Sequence, residues 1–123
     1  MARATTALLD DIRSGCADAT EYAGGLDLDR LTRLPLEDEM RYRALKNAHT
    51  EIGEAIRMLP PRLIADHPQV RWRGFVGLRN VVAHQYFALE PEVLHAILTE
   101  EVPKLAETVA LVAQSDLSRY DRD

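Results

Sequence analysis

The sequence predicts an all-α fold, an up-and-down bundle of four main helices. Two observations predict it: apolar residues recur at steps of three and four in four separate segments, and short pieces containing glycine or proline separate those segments. The chain has 123 residues, of which 46% are hydrophobic. That length suffices to bury one core, so we expect residues 1–123 to form a single domain.

Helix one is predicted over residues 1–24. Its apolar residues share one face because they recur at helical spacing, and charged residues lie off that face. The face consists of Leu8, Ile12, Cys16 and Ala19. Gly24 and Gly25 follow, and glycine commonly ends a helix.

Helix two is predicted over residues 36–59, where Pro60 and Pro61 end it. Its apolar face consists of Leu45, Ala48, Ile52, Ala55 and Leu59. Three carboxylates lie in its first turn: Glu37, Asp38 and Glu39. We interpret them as a capping feature, because negative charge stabilises the positive end of the helix dipole.

The third helix is predicted over residues 68–86, with Pro68 in its first turn. Apolar residues point nearly all round it, which favours a central place in the bundle. Gly74 and Gly77 are expected to let another backbone approach closely.

The fourth helix is predicted over residues 91–114 and the polar tail over residues 115–123. Pro103 lies inside the fourth helix, lacks a backbone donor and crowds the carbonyl of Thr99, so we expect a kink there. The tail is expected to be frayed.

Composition excludes several classes of protein. The net charge of −5 is unlike that of a general nucleic-acid coat protein, so any nucleic-acid contact must be local. The single cysteine, Cys16, cannot form an internal disulfide and is read as a small buried residue in a reducing compartment. No stretch approaches the ~20 apolar residues of a membrane span, which predicts a soluble, cytoplasmic protein without a membrane partner.

The candidate functional residues lie in the segment RNVVAHQYF, residues 79–87. Arg79 can hold a phosphate, His84 can move a proton near neutral pH, and Tyr86 presents a phenol. Between residues 70 and 89 there are three arginines, the third of them Arg79, and no carboxylate. Arg71 and Arg73 are therefore candidate phosphate ligands, although ordinary ion pairs with acidic helices are an equally weighted alternative.

Helical geometry separates two of these residues. Five positions correspond to about 140° around a helix axis, so Arg79 and His84 cannot both face one phosphate on a regular helix. Either the helix loosens near its end or a second copy of the chain supplies one of the two residues. Asn80 shares the face of His84, which is four positions on.

His84 could act as general base for an RNA 2′-hydroxyl or as general acid for the leaving 5′-oxygen, while Arg79 stabilises the charge on the phosphorus centre. Attack by the 2′-hydroxyl needs no metal. His49, His67 and His95 have no ligand-like spacing and are read as structural or surface residues, and we expect no cofactor. A lone helical histidine is, however, more often a satisfied polar residue than a catalyst.

The pattern Arg79-x4-His84-x-Tyr86 matches the motif of the HepT-like family within the HEPN superfamily. Its context agrees: HTEIGEA at 49–55, HPQVRWRGFVGLRNVVAHQYF at 67–87 and EEVPKL at 100–105 resemble family segments. The sequence departs from relatives at Arg71, where they often carry proline, and at Val81 and Val82, where they often carry arginine.

The resemblance implies a homodimeric HEPN bundle in which the motifs of both copies meet in a cleft and cleave RNA, possible targets including tRNA, without metal. Arg79 and His84 would be the catalytic pair and Asn80 a polar helper. It also implies the toxin of a type VII toxin–antitoxin pair, neutralised when a nucleotidyltransferase antitoxin transfers AMP to Tyr86.

Two alternatives remain at this point. The chain could be a noncatalytic HEPN binding partner of a nucleotidyltransferase, which would bind that enzyme without cleaving RNA. It could also be a structural helical dimer in which Arg79 and His84 form a buried polar network.

Overall fold

The computed structural model describes residues 4–84 and 90–121, and within them the fold is all-α, as predicted. The helices are α1 (Thr5–Ala23), α2 (Leu28–Glu37), α3 (Glu39–Arg57), α4 (Pro61–Asp66), α5 (Trp72–His84) and α6 (Pro91–Ala96), then a π-helical segment (Ile97–Glu101) and α7 (Val102–Ala113). No described helix is long and apolar enough to cross a membrane.

Helix α3 lies at the centre of the bundle. It packs against α1 on one side and α5 on the other, while α1 also contacts α7. The core between them includes Ile12, Ile52 and Leu105, whose side chains are fully buried. The expectation that the third predicted helix is central was wrong, because one apolar side of α5 borders an open cleft against α6 and the π-helical segment.

The segment predicted as one helix over 36–59 is divided at Asp38. Its backbone leaves the helical region (φ −148°, ψ 77°), which ends α2, and its carboxylate accepts the Arg41 N–H at 3.1 Å, which begins α3. The capping interpretation is therefore confirmed for Asp38. Helix α2 was missed because Pro35 lies inside it; Asp27 caps its start by accepting the Arg30 N–H at 2.8 Å.

The third predicted helix begins at Trp72 and not at Pro68. The Trp72 indole donates to the His67 carbonyl at 2.8 Å, which holds residues 67–71 in a turn ahead of α5. The predicted continuation to residue 86 lies outside the described residues.

The fourth predicted helix contains a π turn where we expected a kink. The Val102 N–H donates to the carbonyl of Ile97, five residues earlier, and Pro103 lies in the first turn of α7. Because Pro103 has no N–H for the Thr99 carbonyl, the wider turn accommodates it without a proline in an α-helix interior. Helix α7 ends at Ala113, one residue before the predicted end.

The polar tail is anchored and not frayed over the part that the structure describes. Tyr120 is buried, and its hydroxyl donates to Asp66 at 2.6 Å. Asp121 accepts the backbone N–H of Thr5 at 3.1 Å, at the start of α1. Burial of the Tyr120 ring thus holds the tail against the bundle, although most of its other residues are polar.

Candidate functional site

Arg79 lies where α5 approaches α3 most closely. A Cβ added at Gly53 of α3 would overlap the Cβ of Arg79 and lie 2.9 Å from the carbonyl oxygen of Phe75. Glycine at position 53 therefore lets the two backbones meet at the first motif residue. Gly74 and Gly77 do not serve this purpose, since a Cβ at Gly77 would meet no described atom within 4 Å and one at Gly74 only the Arg71 side chain at 3.7 Å.

The guanidinium of Arg79 is held by two neighbours. Its Nη2 lies 3.3 Å from Oε2 of Glu54, and its Nη1 donates to Oδ1 of Asn80 at 3.1 Å. The side chain remains 33% exposed, so the held guanidinium still reaches solvent. Its buried Nε has no hydrogen-bond acceptor among the described residues.

Glu54 is kept ionised beside Arg79. Arg57 donates to its Oε1 at 2.6 Å, and this hydrogen bond, together with the positive charges of Arg57 and Arg79, lowers the pKa of Glu54. A carboxylate with a lowered pKa remains a negative partner for Arg79 across the neutral range. Arg79 thus makes an ion pair with Glu54. Ordinary ion pairing was the alternative to phosphate binding that the sequence left open for the arginines of this segment.

Arg71 and Arg73, the other two arginines between residues 70 and 89, have surroundings that differ from those of Arg79. Arg71 is 82% exposed, and its nearest ionic neighbour is Glu101 at 3.9 Å, on the π-helical segment. Arg73 is exposed on α5. Arg71 and Arg79 therefore contact different elements, and the structure does not bring them together.

His84 is the last described residue of α5, and the backbone is α-helical from Arg79 to His84. The helix does not loosen between them, so their Cα positions remain about 140° apart around the axis. Asn80, one helical turn before His84 on the same helix, accepts a hydrogen bond from Arg79. Tyr86 lies outside the described residues.

The sequence did not predict that Glu54 and Gly53 lie at the candidate site. The signal was present, because both belong to the HTEIGEA segment that resembles the family pattern. Periodicity assigned them only to a helix. Their relation to Arg79, 25 and 26 residues later in the chain, required the packing of α3 on α5.

Cys16 and His49, two further residues that the sequence singled out, are both buried. The Cys16 thiol is inaccessible, and burial raises its pKa to about 12, as expected of a small core residue. His49 is 2% exposed, and burial lowers its pKa to about 4. Neither ring nitrogen of His49 has a hydrogen-bond partner among the described residues, so His49 is neutral at neutral pH.

Comparison with known proteins agrees with the motif. The model of the family "Ribonuclease HepT-like" matches residues 12–112. The Methanocaldococcus jannaschii protein named "Putative RNase MJ1380" is 32% identical over 110 residues, which cover 89% of this chain and 97% of that protein. A second protein of that organism, "Putative RNase MJ0127", is 31% identical over 79% of this chain and 77% of its own.

A shorter match links the chain to "Probable ribonuclease HepT" of Thermococcus cleftensis, which is 33% identical over 44% of this chain and 49% of that protein. No solved structure matches the chain significantly. The family match spans α1 to α7, including the Gly53–Arg79 contact and the motif helix up to His84. The chain therefore belongs to the ribonuclease HepT-like family.

Proposed function

We propose that this protein is a metal-independent endoribonuclease whose catalytic pair is Arg79 and His84. The observation that carries the proposal is the contact of the Arg79 guanidinium with Glu54 and Asn80, at the point where Gly53 lets α5 approach α3 closely. A third of the Arg79 side chain stays exposed there. A guanidinium that is oriented before substrate arrives can stabilise developing charge without reorganising. Family membership supports RNA as the substrate.

In the proposed reaction, His84 takes the proton of an RNA 2′-hydroxyl as the oxygen attacks the adjacent phosphorus. The bond from phosphorus to the 5′-oxygen breaks, and the leaving oxygen receives a proton, with a histidine as the donor. Arg79 neutralises the charge on the phosphoryl oxygens. The products are a 2′,3′-cyclic phosphate and a 5′-hydroxyl end.

We further propose that the protein is the toxin of a type VII toxin–antitoxin pair and that it acts as a homodimer in the cytoplasm. A cognate nucleotidyltransferase would neutralise it by transferring AMP from ATP to the Tyr86 hydroxyl, which forms a phosphodiester and releases diphosphate. An anionic adduct two residues from His84 would occupy the phosphate position and repel the RNA backbone. Asn80 would support the pair through its hydrogen bond to Arg79.

The test uses purified protein, shown by mass spectrometry to be unmodified at Tyr86, incubated with tRNA and total RNA in the presence of a metal chelator. Wild type is compared with His84→Ala and Arg79→Ala, each checked for helical content. We expect cleavage by wild type alone, with cyclic phosphate ends.

Tyr86→Phe serves as the control, since it removes the modification site and leaves the proposed catalytic pair. We expect it to cleave RNA and to resist inactivation by ATP and the nucleotidyltransferase. Cleavage that His84→Ala leaves unchanged would refute the assignment. Absence of cleavage, together with tight binding of a nucleotidyltransferase, would favour the noncatalytic partner.

A further inference from the structure

A cleft of about 560 Å³ opens between the start of α3 and the second half of α5. Its α3 side carries Tyr42, Arg43, Lys46 and Asn47, and its α5 side carries Val82. The cleft therefore borders the motif helix two residues before His84.

This cleft is more positive than the cleft between α5 and α6 and the cleft between α1 and α3. It carries Arg43 and Lys46 against a single carboxylate, Glu39. The cleft between α5 and α6 has three glutamates against one arginine, and the cleft between α1 and α3 has three carboxylates without lysine or arginine. In a chain of net charge −5, an anionic ligand is better accommodated here than in either of those two clefts.

Lys46 is the available cation of the cleft. Arg43 already pairs with Glu39 at 2.7 Å, whereas the Lys46 ammonium lies over the Tyr42 ring, 4.7 Å from its centre, and pairs with no carboxylate among the described residues. An aromatic face orients an ammonium without neutralising its charge. Lys46 can therefore contact a phosphate at little cost in competing ion pairs.

The position of the cleft relates it to Arg79. Gly53 contacts Arg79, and Thr50, one helical turn earlier on α3, lines the cleft. On α5, Val82 lies three residues after Arg79, about 4.5 Å further along the axis. A strand whose phosphate lies at Arg79 can thus continue into the cleft.

We propose that this cleft binds the sugar–phosphate backbone of the RNA strand beside the scissile phosphate, with Lys46 as its phosphate contact. The inference rests on the proposed ribonuclease function and adds a substrate-binding site outside the motif. Tyr42 acts as a positioning residue that holds the Lys46 ammonium.

The experiment measures the Kd of a short fluorescent single-stranded oligoribonucleotide over a series of salt concentrations. The full chain carries His84→Ala throughout, so that the RNA stays intact. Lys46→Gln is compared with Lys104→Gln, which removes the only other lysine, exposed on α7. Each substitution removes one positive charge.

We expect Lys46→Gln to raise the Kd roughly fivefold and to reduce the slope of log K against log salt by about 0.7, the contribution of one phosphate contact on a single strand. Lys104→Gln should change neither quantity. Tyr42→Leu should weaken binding while Tyr42→Phe preserves it, because the ring and not the hydroxyl holds the ammonium.

Equal Kd values and equal slopes for Lys46→Gln and Lys104→Gln would overturn the inference and leave the ribonuclease function intact. Failure of the His84→Ala parent to bind RNA would overturn both. Unchanged RNA binding with weakened self-association of Lys46→Gln in sedimentation would assign the cleft to an interface between copies.

Discussion

Single residues at the α3–α5 contact determine how the guanidinium of Arg79 is presented. Glu54 lies 3.3 Å from it, and Arg57 lowers the pKa of that glutamate by a hydrogen bond. The three side chains form a chain of alternating charge on the surface of the bundle. Exposed ion pairs add little stability, so the value of this one lies in orientation.

Replacing Glu54 by Gln should impair catalysis without unfolding the protein. The amide keeps the size of the side chain but removes the charge that faces Arg79. We expect kcat to fall roughly tenfold with KM little changed, because small displacements of a catalytic group are costly. Steady-state kinetics on a defined RNA would show this, with Glu107→Gln, at an exposed position of α7, as control. A kcat equal to that of the control would contradict the role of Glu54.

His49 should make the stability of the protein depend on pH. Burial lowers its pKa from 6.5 to about 4, so between these values the unfolded chain binds a proton that the folded chain does not. Stability therefore rises with pH through this window and is lost as pH falls from about 6.5 to 4, by up to roughly 3 kcal/mol. Urea unfolding across this range would measure the slope, and His49→Gln should flatten it; an unchanged slope in a folded variant would exclude His49 as its cause.

At the scale of helices, close packing depends on two glycines that face neighbouring helices. A Cβ at Gly15 of α1 would lie 2.6 Å from Cγ1 of Ile52, and one at Gly53 would overlap Arg79. Helix α3 thereby packs closely against α1 on one side and α5 on the other. Gly74 and Gly77 of α5 make no such contact, although their spacing predicted that they would let another backbone approach closely.

Gly53→Ala should destabilise the protein, whereas Gly77→Ala should not. The added methyl at position 53 forces α3 and α5 apart and should lower the free energy of unfolding by about 1–3 kcal/mol. At position 77 a Cβ meets no described atom within 4 Å, so alanine should add up to about 1 kcal/mol through its helix propensity. Chemical denaturation of both variants would test the pair, and equal effects would contradict the packing account.

At the scale of the whole molecule, charge is distributed unevenly over an acidic surface. The cleft between α5 and α6 and the cleft between α1 and α3 are lined by an excess of carboxylates, whereas the cleft beside the motif helix is lined by an excess of cations. Repulsion from the two acidic clefts would favour binding of a polyanion at the cleft beside the motif helix. The regular helix between Arg79 and His84 adds a second constraint, since the Cα atoms of these two residues lie about 140° apart around its axis.

Mixing two inactive variants should therefore restore activity. If the site combines Arg79 of one copy with His84 of another, a heterodimer of Arg79→Ala and His84→Ala regains one complete site. Random exchange puts half of the dimers in this mixed form, so we expect about a quarter of wild-type activity on statistical grounds, with one site of two restored. RNA cleavage after mixing and equilibration measures it, and a mixture no more active than its components would place both residues in one copy.

The sequence by itself determined the helical class, the buried place of Cys16 and, through the Arg79, His84 and Tyr86 pattern, the family. These follow from local periodicity or from a motif within a few residues, both of which are written along the chain. The tertiary structure decided that Gly53 and not Gly77 brings helices together, that Glu54 holds Arg79, and that Tyr120 anchors the tail. Such contacts join residues distant in sequence, and helical spacing specifies which face a residue occupies but not which helix that face will meet.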